Sequence, residues 1–229
     1  MRLLQVLLFL LIPIVIVVIA IMQPFVDPRL LMLDPMVAAE ESGTCCRTYY
    51  GLISTLGVLG WFSTAAICSF AAVLLRSLGG SAKAVLFASS AALLTAVLGF
   101  DDAFLFHENI APKLGIGQNF VLGFYGLAAV FYILTASRIL RMENLFLFFT
   151  AGFFLGASMG LDIIWHSTDS LVVSLEDGSK FIGIICWLGA HVSAMTELLE
   201  NTVGKKRAQV PDKRMARAMN NINEQMVYS

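Results

Sequence analysis

A chain of 229 residues, 58% hydrophobic and only 14% charged, is too apolar for an ordinary soluble domain, where about a quarter of residues carry charge. Its formal net charge of −1 provides no basic footprint for nucleic acid, and four cysteines are too few for a disulfide scaffold. The mean hydropathy of +0.81 points to lipid as the solvent.

A helix that crosses a bilayer core needs about 20 apolar residues. Six stretches come near that length: Leu3–Met22, Gly51–Leu75, Ala84–Phe106, Asn119–Ala136, Leu145–Ile164 and Phe181–Met195. The expected fold class is therefore all-α, an integral membrane bundle of six transmembrane helices over residues 1–200, followed by a basic tail over 201–229. Met1-Arg2 gives the first stretch a positive start. However, its apolar run exceeds the roughly 7–15 residues of a signal peptide and no A-x-A site follows, so it reads as an uncleaved anchor, with cleavage after Ala20 as the weaker alternative.

Between the first two spans, Gln23–Tyr50 is the longest connection. Pro24, Pro28 and Pro35 break it, and Leu30–Met32 and Met36–Ala39 are apolar enough to lie on the membrane surface. It holds the adjacent Cys45 and Cys46, which read as two thiols or as a bridge to another chain. In the fifth span Gly152, Gly156 and Gly160 recur every four residues, a ridge suited to close helix packing and hence to a central place in the bundle. Beyond the sixth span, Pro211-Asp212 could open a short helix. Met215, Met219, Ile222 and Met226 would fall on one face of it, opposite Lys213, Arg214 and Arg217. A disordered polar tail is the alternative.

Basic residues set the expected orientation. With the N-terminus inside, 11 of the 15 Lys and Arg fall on the inner side and 11 of the 16 acids on the outer side, so both termini are expected in the cytoplasm of an inner-membrane protein. The acids then concentrate at the outer ends of the third, fifth and sixth spans. The third ends in Gly99-Phe-Asp-Asp-Ala-Phe-Leu-Phe-His-Glu108. Asp102, on the face of Thr95, is the candidate for the bundle interior, while Asp101 shares a face with Glu108. Asp162 and His166 end the fifth span one turn apart. Glu176 and Asp177 open the sixth, where Ser174-Leu-Glu-Asp177 fits a capping box. Carboxylates with imidazoles suit a divalent transition metal or acid–base chemistry. The expected metal ligands are Asp102, His107, Asp162 and His166, and the expected catalytic bases are Glu108 and Glu176. The plainer reading is a set of solvated helix ends with an Asp162–Lys180 ion pair. His191, deep in the sixth span, reads as a structural histidine bonded to a neighbouring helix.

The runs Asp101-Asp-Ala-Phe-Leu-Phe-His-Glu108, Ser158-Met-Gly-Leu-Asp162 and Glu176-Asp-Gly-Ser-Lys-Phe-Ile-Gly-Ile-Ile-Cys-Trp187 resemble a group of uncharacterised bacterial multi-pass membrane proteins. That resemblance spans the second to sixth helices and implies a bacterial inner membrane, but no activity. A looser similarity is to the alkaline-ceramidase-like and progestin-receptor-like membrane hydrolases, which implies a Ser, Asp and His metal site near one membrane face. Their paired-histidine element on a late helix is missing, since His191 is the one histidine in the sixth span. Three functions follow as expectations. One is metal-assisted hydrolysis of a lipid-like substrate, with Asp102, His107, Asp162 and His166 as ligands. Another is a proton-coupled transporter using Asp102, Asp162, Lys180 and His191. The third is an assembly subunit that meets a membrane-protein partner or a second copy through its glycine ridge and basic tail. The lipid bilayer is the expected partner in all three.

Overall fold

In lipid, every backbone N–H and C=O must be satisfied within its own segment, so apolar stretches of this length become helices. The structure, a computed structural model, describes residues 2–45, 47–136, 138–139, 142–164 and 169–227, with side chains described except at 2–3, 142–144 and 208–227. Its helices are α1 Arg2–Met22, α2 Pro28–Met32, α3 Pro35–Ser42, α4 Leu52–Ser77, α5 Ala82–Phe104, α6 Ala111–Lys113, α7 Gln118–Ala136, α8 Met142–Ile164 and α9 Ser170–Val227. One wide π-type turn, Phe106–Ile110, separates α5 from α6. Six of these helices (α1, α4, α5, α7, α8 and α9) are long and apolar enough to cross a membrane, and the described residues contain no strand. The chain is a multi-pass, all-α membrane protein. Six crossings put both termini at one end of the bundle. The other end is formed by α2, α3, the π-type turn and the starts of α7 and α9.

The spine is α9, which packs against α8, α4 and α1. Glycines permit the close approaches. A Cβ at Gly60 of α4 would stand 2.9 Å from Ile184 Cγ2, and one at Gly183 of α9 would stand 2.8 Å from Leu155 Cγ and 3.0 Å from the Leu155 backbone nitrogen. The glycine ridge expected in the fifth span does not work this way. A Cβ at Gly156 or Gly160 would meet nothing within 4 Å, and one at Gly152 would make ordinary contact, 3.5 Å, with Ile133. α8 does lie against the spine, but Leu155 and its neighbours make that contact while Gly152 and Gly156 face a cavity.

At the half of the bundle nearer the termini, the core is aromatic. His191 is fully buried; it shares a hydrogen bond with the Tyr132 hydroxyl of α7 at 2.9 Å and contacts the Trp187 carbonyl at 2.8 Å. Phe148 and Trp187 pack against its ring. This is the structural role expected for His191.

Four local expectations are corrected. α9 begins at Ser170, eleven residues before Phe181, because Asp169 supplies an N-terminal acceptor for the Leu171 N–H at 3.2 Å. Ser174 therefore sits inside the helix, 1% exposed, and is not a capping residue. α9 also runs unbroken through Pro211, so no new helix opens there; the side chains beyond Arg207 lie outside the described ones. Leu31 and Met32 of α2 are buried against the bundle and do not lie on the membrane surface. The Gly51 N–H donating to the Leu30 carbonyl at 2.9 Å ties α2 down. Finally, Cys45 is disulfide-bonded and so is no free thiol, whereas Cys68 and Cys186 are free and buried. Cys46 lies outside the described residues.

Candidate functional site

At the end of the bundle opposite the termini, a cavity of about 650 Å³ opens between α5, α7, α8 and α9. That volume falls within the roughly 300–1,000 Å³ typical of small-molecule sites. Its two sides differ. Toward the helix ends it is lined by carboxylates, His107 and Lys180. Along α7 and α8 its wall is Leu122, Ala129, Ile133, Leu155 and Met159. Gly156 contributes room there by having no side chain. Trp61 and Trp187 lie about two helical turns deeper than Lys180, counting along α9, and also line it.

The charged side is built by a local break in α5. Leu105 takes the left-handed conformation, φ 50°, the one non-glycine residue with positive φ among the described residues. Such a conformation costs about 1–2 kcal/mol in an L-residue. The reversal turns the chain so that His107 folds back on Asp101. The His107 backbone N–H donates to Asp101 Oδ1 at 3.1 Å, and its ring Nδ1 pairs with Asp101 Oδ2. The Tyr125 hydroxyl of α7 donates to the same Oδ1 at 3.1 Å. His107 Nε2 lies 3.5 Å from Glu108 Oε1. The break also removes the expected shared face of Asp101 and Glu108. Both Asp101 and Asp102 are buried, 7% and 4% exposed.

Asp102 pairs with Lys180 of α9, not with a metal-binding partner. Lys180 was expected opposite Asp162, which instead accepts from Gln118 Nε2 at 3.0 Å. Asp34, at the start of α3, accepts from the Ser54 hydroxyl at 2.7 Å and joins the same cavity. The Glu176 and Asp177 side chains line it too, and among the described residues they make no side-chain hydrogen bond or ion pair.

Three groups in this layer lie outside the spans, and burial acts on all of them. It pushes the Asp34 carboxyl above its ordinary range, opposed by Lys180. Glu108 is exposed at the mouth but hemmed in by protein, and the resulting desolvation raises its carboxyl as well. At His107, burial favours the neutral ring, but the hydrogen bond and charge of Asp101, with Glu108, outweigh it, so the net shift is upward.

Of the expected site residues, the structure brings Asp102, His107, Glu108, Asp162 and Glu176 to one cavity. His166 lies outside the described residues. Among the described residues, no three His, Cys, Asp or Glu side chains group as metal ligands would. Sequence reasoning did not place Asp34, Gln118, Tyr125, Trp61 or Trp187 at the site. Tyr125 and Gln118 carried a faint signal, as polar groups on an otherwise apolar span.

Fold and cavity define a six-span helical membrane protein with an acid-rich chamber at one end. The chain belongs to the family described as Domain of unknown function (DUF8692), whose sequence model matches residues 6–194. No curated protein and no solved structure matches it.

Proposed function

We propose that the chain binds a lipid-like amphiphile in this cavity and carries out acid–base chemistry on its polar end, as hydrolysis of a head-group bond requires. One observation carries the reading: a single cavity joins an apolar wall on α7 and α8 to a layer of ionisable side chains at the ends of the spans. His107 is the proton carrier. Asp101 fixes its Nδ1 and stabilises the imidazolium, leaving Nε2 to serve the reacting group. Glu108, 3.5 Å from that Nε2, and Glu176, on the same cavity, add carboxyl groups to the layer. A metal-assisted version would recruit Asp102, His107, Asp162 and His166. Asp102 would first have to leave Lys180, whereas His107 could offer Nε2 with Asp101 still on Nδ1, so the metal-free version needs less rearrangement only at Asp102.

The basic-residue count supports an orientation with both termini in the cytoplasm of an inner membrane and the cavity on the outer side. The binding reading is tested on protein purified in mild detergent, by extracting and weighing its bound amphiphiles. The wild type is expected to retain a near-stoichiometric amphiphile. Gly156→Leu, which fills the cavity, is expected to lose it while remaining folded. Retention at micelle background in both proteins refutes the reading. Transition-metal content of the same preparation decides the metal-assisted version.

A further inference from the structure

Resting on the amphiphile reading, we propose that the amphiphile is a lipid of the bilayer itself, whose acyl chain enters the cavity sideways through a gap between α7 and α8 at Val130 and Gly156.

The two helices meet along matching stripes. Residues at i, i+4 and i+7 fall on one side of a helix. On α7 these are Gly126, Val130 and Ile133; on α8, which runs the opposite way, they are Met159, Gly156 and Gly152. All six line the cavity. The seam is closed above and below. A Cβ at Gly126 would stand 3.2 Å from Met159 Cε, and one at Gly152 would stand 3.5 Å from Ile133 Cδ1. Between these contacts the seam is open. A Cβ at Gly156 would meet nothing within 4 Å, Gly156 is exposed, and Val130, in the middle of the other stripe, is 56% exposed.

Both residues stand where the outside of the bundle turns into the cavity wall. On the helix surface Val130 is flanked by Leu127 and Leu134, which are exposed, and by Gly126 and Ile133, which line the cavity. Gly156 lies likewise between the exposed Phe153 and the cavity-lining Gly152 and Met159.

Val130 is twelve residues from the start of α7 and six from its end, and Gly156 is eight from the end of α8. The gap is thus at least about 9 Å of helical rise inside either span, at the depth of the hydrocarbon. Its size excludes a helix of another protein. Gly126 and Ile133 are seven residues, about 10 Å, apart along α7, whereas a helix with its side chains is about 10–12 Å across and would have to part the two contacts. An acyl chain is present at this depth and narrow enough to pass. With its chain through the gap, the lipid turns its polar end to the ionisable layer of the same cavity.

Photolabelling tests this, with the protein in phosphatidylcholine vesicles doped with hexadecanol or phosphatidylethanolamine carrying a mid-chain diazirine. Peptide mass mapping separates adducts on the cavity wall, at Ala129 and Leu155, from adducts on the outer face, at Phe131 and Phe153. The wild type should show both. Val130→Trp, which plugs the gap, should lower cavity-wall labelling at least about fivefold and leave outer-face labelling unchanged. Leu127→Trp, the same bulk on the outer face, should change neither. Val130→Phe takes the place of Val130→Trp if the melting profile shows the latter misfolded. Cavity-wall labelling that survives the plug overturns the lateral route and leaves the amphiphile reading standing. Absence of cavity-wall labelling by both probes, in a wild type that retains an extractable amphiphile, also overturns the route alone. Absence of both the labelling and the retained amphiphile overturns both readings.

Discussion

Replacing one glycine at a time by alanine separates the packed face of α8 and α9 from the open one. Gly183→Ala puts a methyl 2.8 Å from Leu155 Cγ and 3.0 Å from the Leu155 backbone nitrogen, and that backbone cannot swing aside as a side-chain tip would. Overpacking of this kind costs about 1–3 kcal/mol. Gly156→Ala puts the same methyl into open space. Both positions are helical, so both gain the same intrinsic preference of about 1 kcal/mol for alanine over glycine. The difference between the variants therefore isolates the contact, about 2 kcal/mol with Gly183→Ala the less stable. At roughly 3 °C per kcal/mol for a chain of this size, their melting temperatures should differ by about 6 °C. Heating each in mild detergent and following loss of the monodisperse peak on size exclusion measures this. If Gly156→Ala melts at or below Gly183→Ala, the ridge is a packing surface after all and the cavity is not open at α8.

The Lys180–Asp102 pair should behave as a buried one: Lys180→Met leaves a 6% exposed carboxylate without its cation and should cost about 3 kcal/mol or more, while Lys180→Met combined with Asp102→Leu should recover most of that loss on the same melting assay. For His107, the folded state holds the proton more tightly than the unfolded chain. Its stabilising contribution is full below the unfolded value of about 6.5 and is lost as pH rises through the folded value, so melting temperature should fall across that window on going alkaline. His107→Gln should flatten that fall, and an unchanged slope would show that the pair with Asp101 does not govern it. A cytoplasm-active reporter after Ser229 and a periplasm-active reporter at Gly115 should both give signal, and the reverse pattern would place the cavity on the cytoplasmic side.

Spans were legible because twenty apolar residues leave little else to do, and all six stretches appear as helices. Partners were not. The sequence puts Asp101 and Asp102 next to each other, but which one meets a histidine and which a lysine depends on a left-handed Leu105 that no periodicity announces. The glycine ridge misled for a related reason: a small residue permits a close neighbour and equally permits a hole, and only the third dimension chooses. The start of α9 was misread because Ser174-Leu-Glu-Asp177 has the form of a cap, while Asp169, five residues earlier, supplies the acceptor.

The cavity's two ionic contacts are anchored differently. His107 and Asp101 are six residues apart on one piece of backbone, with the Tyr125 hydroxyl of α7 also bonded to Asp101. Lys180 and Asp102 belong to different helices, α9 and α5. A shift of α5 relative to α9 would strain the second contact while leaving the first at its working distance. The first pair is thus set within one stretch of chain, whereas the second measures the spacing between two walls of the bundle.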